Sequence, residues 1–163
     1  MRFFDPEMQS VVSARMALEA AIAEGLRREE FVAYLQPKMD MRGELAGAEA
    51  LVRWHHPERG LLLPNEFIPL AEEAGHIAEL GIFMLETVCT RLAAWASLPG
   101  EPRLGVSVNV SVHQFQHPDF VAQVLEIVER TGVDPHRLTL ELTETLLLED
   151  LEETAAKMHA LKA

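Results

Sequence analysis

Oxygen donors suited to a hard cation recur at alternating positions in three strand-like segments of this chain. In residues 46–54, Glu49, Leu51 and Arg53 fall on one side of a strand, and Ala48, Ala50, Val52 and Trp54 fall on the other. In residues 104–110, Ser107 and Asn109 oppose Val106, Val108 and Val110. In residues 138–143, Thr139, Glu141 and Thr143 oppose Leu138, Leu140 and Leu142. Each segment therefore has an apolar face that can pack against helices. The opposite face presents one strong oxygen ligand: Glu49, Asn109 or Glu141. If the strands are parallel neighbours, these ligands meet on one side of the sheet. Two carboxylates on one face repel each other, and a buried unpaired carboxylate is costly. A divalent cation relieves both problems, and carboxylate and amide oxygens suit Mg²⁺, Mn²⁺ or Ca²⁺. Arg53 follows Glu49 by four residues on the same face, and its planar fork can hold a phosphate. The combination points to metal-assisted phosphate chemistry. The competing reading of each polar face is simple solvation, as in many half-exposed sheets.

Other candidates carry less. His113 and His117 have the spacing of helical zinc ligands, but Pro118 follows at once and no His-Glu-x-x-His motif is present, so a loop is expected there. His55 and His56 precede Pro57 and read as a turn. Cys89 sits among Leu85, Val88 and Leu92, which makes it a buried structural thiol. Glu72 and Glu73 read as a solvated helix face. No P-loop, dinucleotide fingerprint or nucleophile elbow occurs.

The elements that must position these residues follow from periodicity. A first helix is expected over residues 7–28, with Val11, Leu18, Ile22 and Leu26 on one face. Strands are expected at 31–37 and 46–54, joined by a turn at Met41 to Glu44. Pro64 and Asn65 open a helix that Gly75 closes. A second long helix covers 77–97, with Ile77, Leu80, Met84, Val88, Leu92 and Trp95 in its stripe. A loop with Pro99, Gly100 and Pro102 leads to the strand at 104–110. A helix at 118–130 carries Val121, Val124, Leu125 and Val128, and Gly132 stops it. The strand at 138–143 precedes a last helix that Asp150 can cap. Strands alternating with helices predict an α/β fold with a largely parallel sheet, the first part of a larger barrel-like architecture.

Composition sets the outer limits. The chain has 163 residues, with 14 lysines and arginines against 26 aspartates and glutamates, a formal charge of −12. That sign excludes a general surface for DNA or RNA polymers. A hydrophobic fraction of 48% excludes a disordered chain. No apolar run reaches the ~20 residues of a bilayer span, so no membrane contact is expected from this segment. A single cysteine excludes an internal disulfide framework and fits a cytoplasmic setting.

Six short stretches in order then carry a resemblance. They are Tyr34-Leu35-Gln36-Pro37, Glu49-Ala50-Leu51-Val52-Arg53-Trp54, His56-Pro57-Glu58-Arg59-Gly60, Phe67-Ile68-Pro69-Leu70-Ala71-Glu72, Val108-Asn109-Val110-Ser111 and Glu141-Leu142-Thr143-Glu144. Together they resemble the EAL family of cyclic di-GMP phosphodiesterases. Phe3-Phe4-Asp5-Pro6-Glu7-Met8 and the helix after it resemble the linker between a GGDEF domain and an EAL domain. The resemblance divides the chain into a linker segment at 1–28 and the N-terminal half of an EAL-type barrel at 29–163. It implies a modified (β/α)₈ barrel whose first strand runs antiparallel to the rest.

The resemblance also implies hydrolysis of cyclic di-GMP to linear pGpG with Mg²⁺ or Mn²⁺. Glu49, Asn109 and Glu141 would be metal ligands, and Arg53 would contact a substrate phosphate. Gln36 and Leu51 would line the pocket, and Glu144 would brace a loop near the metals. The remaining catalytic residues, among them an Asp-Asp motif, a lysine and a glutamate, are expected downstream of Ala163. These 163 residues alone are therefore expected to be inactive. A degenerate module that binds cyclic di-GMP or mediates dimerisation is the alternative. The open fourth strand is expected to be covered by a second copy or by the other half of the barrel.

Overall fold

The computed structural model describes residues 6–98, 104–142 and 151–162. The elements are α1 (Pro6–Arg27), β1 (Phe31–Met39), β2 (Leu45–His56), β3 (Gly60–Leu62), α2 (Pro64–Glu73), α3 (Ile77–Ala96), β4 (Gly105–Val110), α4 (Val112–Gln116), α5 (Phe120–Thr131), β5 (Leu138–Leu142) and α6 (Leu151–Lys162). A 3₁₀ turn at Pro135–Arg137 leads into β5. The described residues divide into two compact units, one within 6–32 and 53–77 and the other within 33–52 and 78–162. No helix among the described residues is long and apolar enough to cross a membrane.

The first unit is organised around aromatic side chains. Phe31, at the start of β1, stacks on Trp54 of β2 with ring centroids 4.8 Å apart. Phe67 of α2 meets both rings edge-on, at 5.4 and 5.7 Å. Such pairs add about 0.5–1.5 kcal/mol each beyond the area they bury. The Trp54 indole N–H donates to the Glu30 carboxylate at 2.9 Å, so its polar atom is satisfied. Helix α1 contributes Leu18 and Ile22 to the buried set, on the face that the periodicity predicts. Gly25 is what lets α1 approach closely, because a Cβ there would lie 2.9 Å from the Trp54 ring nitrogen and 3.0 Å from Phe31. Strand β3 pairs antiparallel with the end of β2, Trp54 opposite Leu62. It is too short to be seen by alternation, and the Gly60 turn (φ +74°) that creates it reads from sequence only as a break. Pro64 opens α2, and the Glu66 carboxylate accepts the Leu63 N–H at 2.8 Å.

The second unit holds the sheet in the order β1-β2-β4-β5. Residues 40–44 join β1 to β2, and the Asp40 carboxylate accepts the N–H groups of Arg42 (2.8 Å) and Glu44 (2.9 Å). A parallel pair needs a crossover of a dozen or more residues, so this short connection makes β1 antiparallel to β2. Strands β2, β4 and β5 are mutually parallel, with Glu49 abreast of Ser107 and Asn109 abreast of Glu141. The sheet is therefore mixed, with the reversed first strand that the resemblance implies.

Val106, Val108 and Val110 of β4 are buried against Leu85, Val88, Cys89 and Leu92 of α3 and against Phe115, Phe120 and Ile127. Full burial of each such side chain is worth about 1.5–3 kcal/mol. Arg137 fastens this core at its edge: its Nε donates to the Leu104 carbonyl at 3.0 Å and its Nη1 to the Leu92 carbonyl at 3.3 Å.

Three expectations are corrected here. His55 and His56 do not form a turn but continue strand β2, opposite Leu61 and Gly60 of β3. Residues around His113 form helix α4 rather than a loop, because the Ser111 hydroxyl accepts the Gln114 N–H at 3.1 Å and starts a turn. In α5 the inward stripe is Phe120, Val124 and Ile127, while Leu125 is 47% exposed. At 100° per residue Leu125 lies well away from that stripe, and Phe120 and Ile127 set the packing. The proline and glycine loop at 99–103, Thr143, Glu144 and the cap at Asp150 lie outside the described residues.

Candidate metal centre

The centre is built on three parallel strands whose other faces are anchored in the core. Ala50, Val108 and the rest of the β4 valines are buried. Because side chains alternate, Glu49, Asn109 and Glu141 must leave the sheet on the opposite side. The parallel register sets Asn109 beside Glu141, and Glu49 one pleat behind, beside Ser107. The Asn109 side-chain amide bridges this step by donating from Nδ2 to Glu49 Oε1 at 2.7 Å. That bond leaves the Asn109 side-chain carbonyl as the oxygen a cation would use.

Lys38 of β1 completes the cluster. Its Nζ donates to Glu141 Oε1 at 2.5 Å and to the buried Ser107 hydroxyl at 2.7 Å. The same ammonium stands 3.9 Å from Glu49 Oε2. Both carboxylates thus face one positive charge. The hydrogen bond from Lys38 holds the Glu141 carboxyl below its ordinary value of 4.5, against a smaller opposing push from burial. The Ser107 hydroxyl and the charge of Lys38 act in the same direction as that hydrogen bond.

A profile of one domain family matches residues 19–163 and describes it as the EAL domain. The chain belongs to the EAL domain family. Over 166 aligned residues it is 36% identical to the oxygen sensor protein DosP of Escherichia coli, across 99% of this chain and 20% of that protein. It is 32% identical over 162 residues to the bifunctional diguanylate cyclase/cyclic di-GMP phosphodiesterase MucR of Pseudomonas aeruginosa, across 99% of this chain and 24% of that one. The solved complex of the PaMucR phosphodiesterase with c-di-GMP superposes with a TM-score of 0.85 at 33% identity, over 90% of this chain and 59% of that chain. The chain therefore spans about a fifth to a quarter of these curated relatives and somewhat over half of the solved domain.

The EAL tripeptide itself is Glu49-Ala50-Leu51, on β2. Of the residues singled out by sequence, Glu49, Asn109 and Glu141 are brought together as described. Leu51 shares the Glu49 face of β2 and is half-buried, and Gln36 is exposed on β1. Arg53 lies further along β2, half-buried, in the stretch assigned to the other unit. Glu144 lies outside the described residues.

Among the described residues, no group of three or more His, Cys, Asp or Glu side chains gathers into a ready metal site. The donor set is two carboxylates and one amide, all hard oxygen, which is the chemistry Mg²⁺ and Mn²⁺ accept. These residues fit such an ion as a partial ligand set. Lys38 and Ser107 are the members that sequence reasoning missed. The available signal was spacing: Lys38 follows Gln36 by two residues on β1, and Ser107 precedes Asn109 by two on β4, so each shares a face with a residue already marked.

Proposed function

We propose that this chain supplies the first half of the active site of a metal-dependent phosphodiesterase that hydrolyses cyclic di-GMP to linear pGpG. The observation that carries the proposal is the convergence of Glu49, Asn109 and Glu141 from three parallel strands, with Asn109 bonded to Glu49 at 2.7 Å. On this reading the three hold Mg²⁺ or Mn²⁺. Such an ion, when bound, neutralises phosphate charge and makes water nucleophilic at neutral pH.

The chain's own residues have distinct tasks. Glu49 and Glu141 supply the negative charge that attracts the ion, and Asn109 fixes the orientation of Glu49. Arg53 binds a substrate phosphate through its planar guanidinium. Gln36 and Leu51 line the nucleotide pocket, one polar and one apolar. The likeness to the MucR phosphodiesterase complexed with c-di-GMP supports the choice of nucleotide.

A partial ligand set can hold an ion, but it does not by itself position substrate, ion and attacking water together. These 163 residues alone are accordingly expected to turn over little. The test is to incubate the full-length protein with cyclic di-GMP and Mg²⁺ and follow pGpG by chromatography. Magnesium-dependent pGpG formation that disappears in EDTA is the expected result. Retained nucleotide binding with no product under any divalent ion would instead identify a non-catalytic binding module.

A further inference from the structure

We infer that Lys38 is a resident counter-cation of the candidate centre: it offsets part of the negative charge of Glu49 and Glu141 when no divalent ion is bound, and it competes with such an ion for them. This rests on the proposed reading of Glu49, Asn109 and Glu141 as cation ligands and adds a residue that competes with the ion. The geometry is specific. The ammonium sits 2.5 Å from Glu141 Oε1 and 2.7 Å from Ser107 Oγ, and it faces Glu49 Oε2 at 3.9 Å. It therefore stands within reach of both acids that a shared ion would use.

Ser107 is 5% exposed, so its hydroxyl is a fixed acceptor that anchors the ammonium beside the acids. Lys38 also enters from β1, the antiparallel strand, while the acids come from β2 and β5. Its stem can therefore swing away without disturbing the ligand-bearing strands. A dication and an ammonium compete for the same carboxylate charge, and their mutual repulsion opposes holding both at this range. The consequence is a cluster whose two negative charges are only partly offset without metal, and whose affinity for metal is reduced by the same lysine.

The experiment uses full-length protein stripped with EDTA and titrated with Mn²⁺, bound ion being read from loss of the free Mn²⁺ electron-spin-resonance signal. Lys38→Met should bind Mn²⁺ about tenfold more tightly than wild type. It should also melt at a lower temperature in EDTA and gain more on adding Mn²⁺. A second measurement needs no variant. The rate of reductive methylation of Lys38 in wild type, read by peptide mass spectrometry against the exposed Lys162, should rise several-fold when Mn²⁺ is added. Equal or weaker Mn²⁺ binding by a folded Lys38→Met, or a methylation rate indifferent to Mn²⁺, overturns the inference while leaving the metal centre standing. Absence of Mn²⁺ binding in both proteins overturns the metal centre and the inference with it.

Discussion

Glu49 and Glu141 carry the same functional group but sit in different surroundings. Glu141 takes a hydrogen bond directly from Lys38, while Glu49 takes one from the neutral Asn109 amide. The lowered pKa of Glu141 has a defined consequence for stability. With no divalent ion present, the Lys38–Glu141 pair contributes fully above the ordinary carboxylate value of 4.5 and loses its contribution as pH falls through the lowered folded-state value. Melting temperature measured in EDTA across that acid range should therefore fall less steeply for Lys38→Met than for wild type.

Glu49→Ala is expected to leave the fold within about 1 kcal/mol of wild type, since the side chain caps no core. It should remove metal-dependent hydrolysis by more than the roughly 10–100-fold seen when only an outer partner of a metal ligand is lost. Parallel denaturant melts and pGpG assays check both halves. Cys89 lies outside this chemistry. Burial pushes its thiol up to about 11, so it should stay unreactive toward a disulfide reagent until the protein unfolds. At this scale the acids and the amide were legible because each interrupts an apolar alternation. Lys38 was not, because a lysine beside a turn on an edge-like strand resembles any solvated charge.

Among the elements, the pairing of β2 with β4 matters most, because it sets Glu49 beside Ser107 and one pleat from Asn109. Gly47 and Gly105 face each other at the start of that pairing, and a Cβ on Gly47 would lie 2.9 Å from the Gly105 carbonyl oxygen. Backbone cannot yield as a side chain can. Gly47→Ala should therefore cost about 1–3 kcal/mol and weaken metal binding in proportion to the shift of Glu49. Equilibrium unfolding and Mn²⁺ titration of the same variant check it.

Gly81 on α3 offers a second test, since a Cβ there would lie 2.0 Å from the buried side-chain amide of Gln114 on α4. Gly81→Ala should destabilise the protein, and adding Gln114→Ala should recover part of the loss in denaturant melts. The long elements were readable from periodicity alone. Strand β3 and helix α4 were not, being three and five residues long, below the length at which a period can be counted. Their formation depends on a glycine turn and a serine cap instead.

For the molecule as a whole, a formal charge of −12 means that an anionic ligand is drawn only where local positive groups offset a repelling field. The Glu49, Asn109 and Glu141 cluster belongs to the β-sheet unit, whose core is mainly aliphatic with two phenylalanines. The other unit has its own aromatic core around Trp54. Fold class and family were legible because six motifs occur in order along the chain. How the charge of the acids is partly offset was not, since that depends on a contact between Lys38 and Glu141, 103 residues apart.

The most direct measurement is anomalous diffraction at the manganese edge from crystals of the full-length protein soaked in Mn²⁺. The expected result is a peak within about 2–2.5 Å of side-chain oxygens of Glu49, Asn109 and Glu141 together, with the Lys38 ammonium withdrawn. A manganese peak elsewhere, or none while Lys38 remains beside the two acids, would contradict it.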